Sequence, residues 1–197
     1  MDRAARERIA DYVKPLAVGL DGVTNFGDVR RAIAAALRIG RGREGLDSDL
    51  LFLLAAFSGQ EKWVSRMGHR SRTELFLAAE GVPRRTIAAV FRSLARFDTD
   101  PRTPEEEIVH DAVRLDRLGA YGVARLLAEG YRERLDLLEM AAEIDEAVRT
   151  ELRTPQAQEM AEARRKTMRE FAERLRAEYR EFDQSAIGDR VTPWGIG

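Results

Sequence analysis

This sequence of 197 residues has few side chains of the types that act as thiol nucleophiles or as nitrogen and sulfur ligands of transition metals. There is no cysteine, which excludes thiol catalysis, iron–sulfur clusters and thiolate zinc sites. Two histidines, His69 and His110, are too few for a histidine-rich transition-metal site. His110 precedes Asp111, and neighbouring side chains on a helix point about 100° apart, so this pair cannot chelate one metal without distortion. We expect a structural role for the pair.

Charge and hydropathy exclude further classes of function. There are 33 basic and 34 acidic residues, interspersed along the chain, for a net charge of -1. Binding to a phosphate backbone needs a local excess of cations, so we expect no nucleic-acid partner. No apolar run approaches the roughly 20 residues of a membrane span, and the first residues do not resemble a secretory signal. We therefore expect no membrane association and a cytoplasmic protein.

The elements that position these residues are predicted to be helices alone. Ala, Leu, Arg and Glu dominate, apolar residues recur every three or four positions, and no alternating β-branched run is present. Leu50 to Phe57 is apolar on every face, which predicts a central helix that begins at Asp47 or Ser48. The predicted helices span about 3–13, 25–38, 48–58, 71–80, 83–94, 103–118, 123–127, 132–152 and 154–182.

Helix starts are also marked in the sequence. Thr103, Pro104 and Glu106 predict a capped start in which the Glu106 side chain completes a capping box. Thr154 and Pro155 repeat the Thr-Pro start at the last helix. The predicted fold class is therefore an all-α bundle in a single domain.

One segment carries a specific resemblance. Residues Glu107 to Arg125 resemble the signature E-x-I-L-x-D-A-D-R-L-D-x-L-G-A-I-G-I-A-R of the HD-superfamily metal-dependent phosphohydrolases. Residues 28–32 resemble the H-V-x-R-V helix of that family, residues 50–58 the apolar run before its His-Asp dyad, and residues 161–178 its closing helix. The resemblance covers about residues 24–182 and implies an HD-like helical bundle, in which ordinary members hold a metal between the central helices.

The ligands of that metal are replaced in this chain. The first histidine of the family corresponds to Asp28, the His-Asp dyad to Gly59 and Gln60, and the later aspartate to Val113. Glycine and valine side chains offer no lone pair, and glutamine offers only a neutral carbonyl oxygen. Without imidazoles and clustered carboxylates a metal is not held against water. We therefore expect no metal and no other cofactor, and the phosphohydrolase activity of the family is not carried over.

The resemblance implies that the vacated metal position leaves a pocket between helices, where a small-molecule ligand could bind. Asp28 and Glu61 are candidate general acid or base groups if burial raises their pKa values, and His69 is a third catalytic candidate. Each could instead be an ordinary solvated or packing residue. The expected ligand-binding residues are Asn25, Gln60, Trp63, Arg66 and Val113.

Three functions stay open. The first is a metal-independent small-molecule-binding protein or a cofactor-free acid/base enzyme, in which case the pathway could be a specialised biosynthetic one. The second is a catalytically inactive HD-like protein that acts through protein partners, and a homodimer is open in either case. The third is a phosphohydrolase with a shifted ligand set drawn from Asp28, Glu61, His110, Asp111 and Asp116. The expected organisation is an N-terminal helix and turn over 1–23, the HD-like domain over 24–182 and a tail over 183–197.

Overall fold

Helices form all the regular structure in the described part of the chain. The computed structural model describes residues 1–17, 25–64 and 66–183, without the side chains of residues 62, 63, 182 and 183. No strand occurs in those ranges, and none of their helices is long and apolar enough to cross a membrane. The helices are α1 (Arg3–Val13), followed by a 3₁₀ turn (Lys14–Ala17), α2 (Phe26–Ile39), α3 (Ser48–Phe57), α4 (Glu61–Val64), α5 (Met67–Ala79), α6 (Arg84–Leu94), α7 (Pro104–Asp116), α8 (Gly119–Glu133), α9 (Leu137–Val148) and α10 (Pro155–Asp183).

Two compact units divide the chain. The first comprises Met1–Arg117 and Glu151–Glu162, and the second comprises Leu118–Thr150 with the chain from Ala163 onward. The extent of the predicted N-terminal and HD-like segments stays a prediction, and the predicted tail lies almost wholly outside the described residues.

The core of the first unit is built around α3. Its apolar residues from Leu51 to Phe57 are all buried, as expected for a helix without a polar face. Asp47 caps its start by accepting hydrogen bonds from the N–H groups of Asp49 and Leu50. Helices α2 and α7 pack against α3 and against each other, and α6 and α1 also contact α3. This packing places α2, the end of α3 and α7 around one core.

The second unit contains the α8–α9 hairpin. Arg134 ends α8 in the left-handed conformation, with φ at 62°, and Asp136 caps α9 through a capping box with Glu139. Gly130 lies against Met140, since a Cβ at residue 130 would stand 2.7 Å from Met140 Cγ. The side chain of Arg176, from α10, donates to the carbonyl of Ala141 on α9.

Several predicted helix limits are wrong. Helix α4 was not expected, and α5 begins at Met67 rather than at residue 71, which places His69 inside the helix and not in the loop before it. Helix α8 begins at Gly119 and continues to Glu133, and α9 spans only Leu137–Val148, so the limits predicted as 123–127 and 132–152 are wrong. Gly130 lies inside α8, where the lack of a Cβ allows Met140 to pack closely. The starts of α2 and α10, after Asn25 and Thr154, are confirmed.

The predicted capping box at α7 is also wrong. Thr103 caps the helix by accepting a hydrogen bond from the Glu106 N–H at 3.3 Å, but the Glu106 carboxylate turns into the protein. It accepts from Ser93 Oγ at 2.6 Å, from Arg96 Nη2 at 2.8 Å and from the Arg102 N–H at 2.6 Å. Burial alone would raise the pKa of Glu106, but these hydrogen bonds outweigh it and lower the pKa.

Candidate functional site

The first turn of α2 positions two of the predicted site residues. Asn25 is the N-cap residue, and its side-chain oxygen accepts a hydrogen bond from the Gly27 N–H at 2.7 Å. Asp28 completes a capping box, because its Oδ2 accepts from the Asn25 N–H at 2.7 Å. The local sequence therefore fixes the Asp28 carboxylate at the start of α2.

A guanidinium group joins this carboxylate to α7. Arg31 Nη2 donates to Asp28 Oδ1, one helical turn earlier. The same guanidinium donates from Nε to Asp116 Oδ1 at 2.8 Å and from Nη2 to Asp116 Oδ2 at 3.3 Å. The side chains of Asp28 and Asp116 are only 14% and 13% exposed, and that of Arg31 is 37% exposed. We call these three residues the Asp28–Arg31–Asp116 cluster, in which one cation compensates two sheltered carboxylates.

The turn between α3 and α4 positions Gln60 and Glu61. Gly59 adopts a φ of 84°, in the left-handed region that favours glycine. Its N–H donates to Glu61 Oε1 at 2.6 Å, so this oxygen folds back on its own turn. Gln60 is buried, and its N–H donates to the Phe57 carbonyl at 3.0 Å. The predicted contact of Trp63 concerns a side chain outside the described residues.

The remaining predicted residues lie on α5 and α7. Arg66 is the exposed N-cap residue of α5 and makes no side-chain cap hydrogen bond. His69 is half-buried, and its carbonyl accepts from Thr73 Oγ1 at 2.9 Å. Val113 is half-buried on α7. Helix α4 packs on α5, and α2 packs on α7. The predicted site residues therefore fall into two groups, one near each of these helix pairs.

Arg31 was missed as a site residue, and Asp116 was expected only to tie helices together. That expectation is confirmed, since Asp116 links α7 to α2 through Arg31. The three-residue spacing of Asp28 and Arg31 is a recognisable helical ion pair and could have identified Arg31. No local signal in the sequence connects either residue to Asp116, which is 85 residues from Arg31.

The structural role expected for Asp111 is confirmed. Its fully buried carboxylate accepts from the N–H groups of Arg153 at 2.9 Å and Thr154 at 2.6 Å, from Thr154 Oγ1 at 2.7 Å and from His110 Nδ1 at 2.9 Å. Thr154 Oγ1 in turn accepts from the Ala157 N–H in the first turn of α10. Burial acts to raise the pKa of Asp111, but these donors outweigh burial and lower it.

The residues at the family's ligand positions do not fit a divalent metal. Gly59 and Val113 have no donor atoms, and Gln60 has a neutral amide. Asp28 supplies a carboxylate, but both of its oxygens accept hydrogen bonds, one of them from a guanidinium. Within residues 1–17, 25–64 and 66–183, no three His, Cys, Asp or Glu side chains are grouped to hold a metal ion.

Comparison with known proteins identifies the fold. No family model and no curated protein sequence matches the chain, but solved structures do. An HD-superfamily hydrolase from Bacillus thuringiensis matches at 21% identity with a TM-score of 0.66, over 90% of this chain and 98% of that chain. The chain shares the fold of this HD-superfamily hydrolase.

Two further solved structures are similar to the chain over most of its length. The Lin1889 protein from Listeria innocua is 20% identical with a TM-score of 0.74, over 91% of this chain and 98% of that chain. YpgQ from Bacillus subtilis, solved in complex with ADP, is 20% identical with a TM-score of 0.69, over 89% of this chain and 95% of that chain. The all-α, HD-like architecture predicted from residues Glu107 to Arg125 is therefore confirmed.

Proposed function

We propose that this HD-fold chain is a small-molecule-binding protein that works without a metal ion. The observation that carries the proposal is the Asp28–Arg31–Asp116 cluster, in which one partly exposed guanidinium pairs with Asp28, at one of the family's ligand positions, and with Asp116 on α7. The residues proposed to contact the ligand are those expected from the sequence, namely Asn25, Asp28, Gln60, Glu61, Trp63, Arg66, His69 and Val113.

The physical reason is competition between Arg31 and a divalent cation. Arg31 donates from Nη2 to Asp28 and from Nε and Nη2 to Asp116, and such charge-assisted hydrogen bonds are stronger than neutral ones. A metal at Asp28 would have to displace Arg31 and would then find Gly59 and Val113 in place of further ligands. Hard divalent cations need several oxygen ligands, so the exchange is unfavourable.

Binding is better supported than acid/base catalysis. A general base needs an oxygen free to take a proton, and both oxygens of Asp28 accept hydrogen bonds. One oxygen of Glu61 accepts from the Gly59 N–H. The alternative phosphohydrolase with a shifted ligand set would need Asp111, whose carboxylate caps the start of α10 through Thr154. A cofactor-free role for Glu61 or His69 is the second form of the proposal.

The test measures metal and ligand binding separately. Purified protein is dialysed against Mn²⁺, and its metal content is determined. ADP is the first ligand probe, because YpgQ was solved with ADP and shares the fold at 20% identity. We expect the dialysed protein to retain about 0.1 equivalent of Mn²⁺ per chain or less. We also expect ADP to raise the melting temperature equally in EDTA and in Mn²⁺.

Variants at two adjacent arginines provide the control. Arg31→Ala removes the guanidinium of the cluster, and Arg30→Ala removes an exposed charge from the same helix. Arg31→Ala is expected to lose about 1 to 2 kcal/mol of stability. The expected loss is no larger because Arg31 is partly exposed and water screens its ion pairs. Mn²⁺ is expected to bind Arg31→Ala only weakly, through Asp28 and Asp116, and not to stabilise Arg30→Ala. One tightly bound Mn²⁺ per wild-type chain would refute metal independence, whereas failure of ADP would reject only that ligand.

A further inference from the structure

A polar cavity of about 430 Å³ lies in the first unit, beside α7 and the segment that precedes α10. None of the residues of the Asp28–Arg31–Asp116 cluster lines it. Its polar lining is Asp98, Thr99, His110, Arg114, Glu151 and Arg153.

His110 presents one uncommitted ring nitrogen in this lining. The residue is 5% exposed, and its Nδ1 lies 2.9 Å from Asp111 Oδ1. Every other partner of Asp111 is an N–H or O–H donor, so Asp111 acts as a carboxylate and accepts the proton of His110 Nδ1. Nε2 then carries a lone pair in the neutral ring, and it makes no hydrogen bond to any residue that the structure describes.

Arg153 supplies a second cation to the lining. Its backbone N–H donates to both oxygens of Asp111, at 2.9 and 3.0 Å. These hydrogen bonds hold the backbone of Arg153 beside the cavity. The exposed guanidinium forms no ion pair with the described residues. The other arginine, Arg114, is already neutralised, since it donates to Asp98 Oδ1 at 2.8 Å and to the Asp98 carbonyl at 3.0 Å.

We propose that this cavity binds a small, singly charged, protonated oxyanion, namely dihydrogen phosphate or the monoanion of a phosphomonoester. The P–OH group donates to His110 Nε2, and the charged oxygens accept from the Arg153 guanidinium. Arg114 and Thr99 complete the polar wall. Glu151 is like-charged with the ligand, which favours a monoanion over a fully ionised group. The site does not depend on the function proposed for the cluster around Arg31.

The imidazole signals of the protein provide a direct readout, because the sequence has only two histidines, His69 and His110. Long-range ¹H–¹⁵N spectra are recorded during titration with inorganic phosphate and, at equal ionic strength near neutral pH, with sulfate. We expect a saturable shift of the His110 nitrogens, with a dissociation constant of about 1 mM, and no shift of His69. Sulfate, which has no proton to donate, is expected to bind more weakly.

Three variants test the contacts. Arg153→Ala is expected to weaken phosphate binding about tenfold, as for the loss of one charge-assisted hydrogen bond. Arg85→Ala, which removes an exposed arginine from α6, is the matched control and should leave the affinity unchanged. His110→Phe keeps a buried ring and should abolish the calorimetric signal of phosphate binding. If His110→Phe does not fold, Arg153→Ala decides the question.

Three results would overturn the proposal. They are the absence of a saturable His110 shift up to about 20 mM phosphate, equal shifts from phosphate and sulfate, and an affinity that Arg153→Ala leaves intact. A phosphomonoester is titrated in parallel, and its affinity is compared with that of inorganic phosphate. Tighter binding of the ester supports a metabolite ligand, and equal binding supports recognition of the phosphate group alone.

Discussion

Asp111→Asn should destabilise the protein strongly although it changes one atom. The buried Asp111 carboxylate joins α7 to the start of α10 through the N–H groups of Arg153 and Thr154 and the hydroxyl of Thr154. In the variant, the amide oxygen can replace Oδ2 and keep the Thr154 donors. The amide nitrogen must then replace Oδ1, where His110 Nδ1 and the Arg153 N–H both point.

The expected loss follows from the difference between charged and neutral hydrogen bonds. A hydrogen bond to a charged group contributes about 1.5 to 3 kcal/mol, against about 0.5 to 1.5 kcal/mol for a neutral one. The amide oxygen in place of Oδ2 keeps three bonds, from the N–H groups of Arg153 and Thr154 and from Thr154 Oγ1, and each weakens by about 1 kcal/mol, for a loss of about 3 kcal/mol. Burying a neutral amide instead of a charge returns about 1 kcal/mol, so the net loss is about 2 kcal/mol.

Urea unfolding followed by circular dichroism measures this loss. With a slope of about 2 kcal/mol per M, the midpoint should fall by about 1 M while the slope stays constant. Asp98→Asn is the matched control, because Asp98 is 63% exposed and its ion pair with Arg114 lies on the surface. Its loss should not exceed about 0.5 kcal/mol.

The outcome that refutes this reasoning is a midpoint of Asp111→Asn equal to that of Asp98→Asn. The hydrogen bonds of Asp111 would then not contribute to stability as their geometry requires. A second consequence concerns His110, whose Nδ1 would face an amide N–H donor in the variant. Its proton should move to Nε2, which the ¹⁵N shifts of the ring report.

Two further predictions concern acid stability and a close packing contact. Glu106 and Asp111 have lowered pKa values in the folded state, so their contribution to stability is complete above their ordinary values of 4.5 and 3.8. Stability should be lost as the pH falls through and below that range, with a smaller loss in Asp111→Asn; a flat profile down to acid unfolding would contradict this. Gly130→Ala should cost about 1 to 3 kcal/mol, because the new Cβ would stand 2.7 Å from Met140 Cγ. Gly68→Ala on α5, which meets nothing within 4 Å, should cost nothing by thermal unfolding, and equal losses in the two variants would refute the packing argument.

The candidate site was predictable only in part. The resemblance of residues 28–32 and 107–125 to the HD superfamily located α2 and α7, and the structure confirms that these helices pack together. The sequence also showed that Gly59 and Val113 cannot ligate a metal. It did not show that Arg31 reaches from α2 to Asp116. Nor did it show that His110, set aside as structural, lines a polar cavity.

What the sequence determined by itself is the helical architecture and most helix starts. Asn25, Asp47 and Thr154 stand where α2, α3 and α10 begin, because a cap satisfies backbone N–H groups only two or three residues away. The apolar faces of α3 likewise require burial, whatever surrounds them. Such signals act within one or two helical turns and can be recognised from residues that are close in the sequence.

Tertiary structure decided which partner each charged side chain takes. Glu106 had a local partner in the N–H of Thr103, yet its carboxylate turns to Arg96 and Ser93. Asp111 caps a helix that begins 43 residues later, at Thr154. A buried carboxylate binds the donors that packing brings to it, because leaving it unpaired away from water costs more than giving up a local bond. The donors that surround a buried carboxylate depend on how the helices pack, and the packing of the helices depends on the whole core.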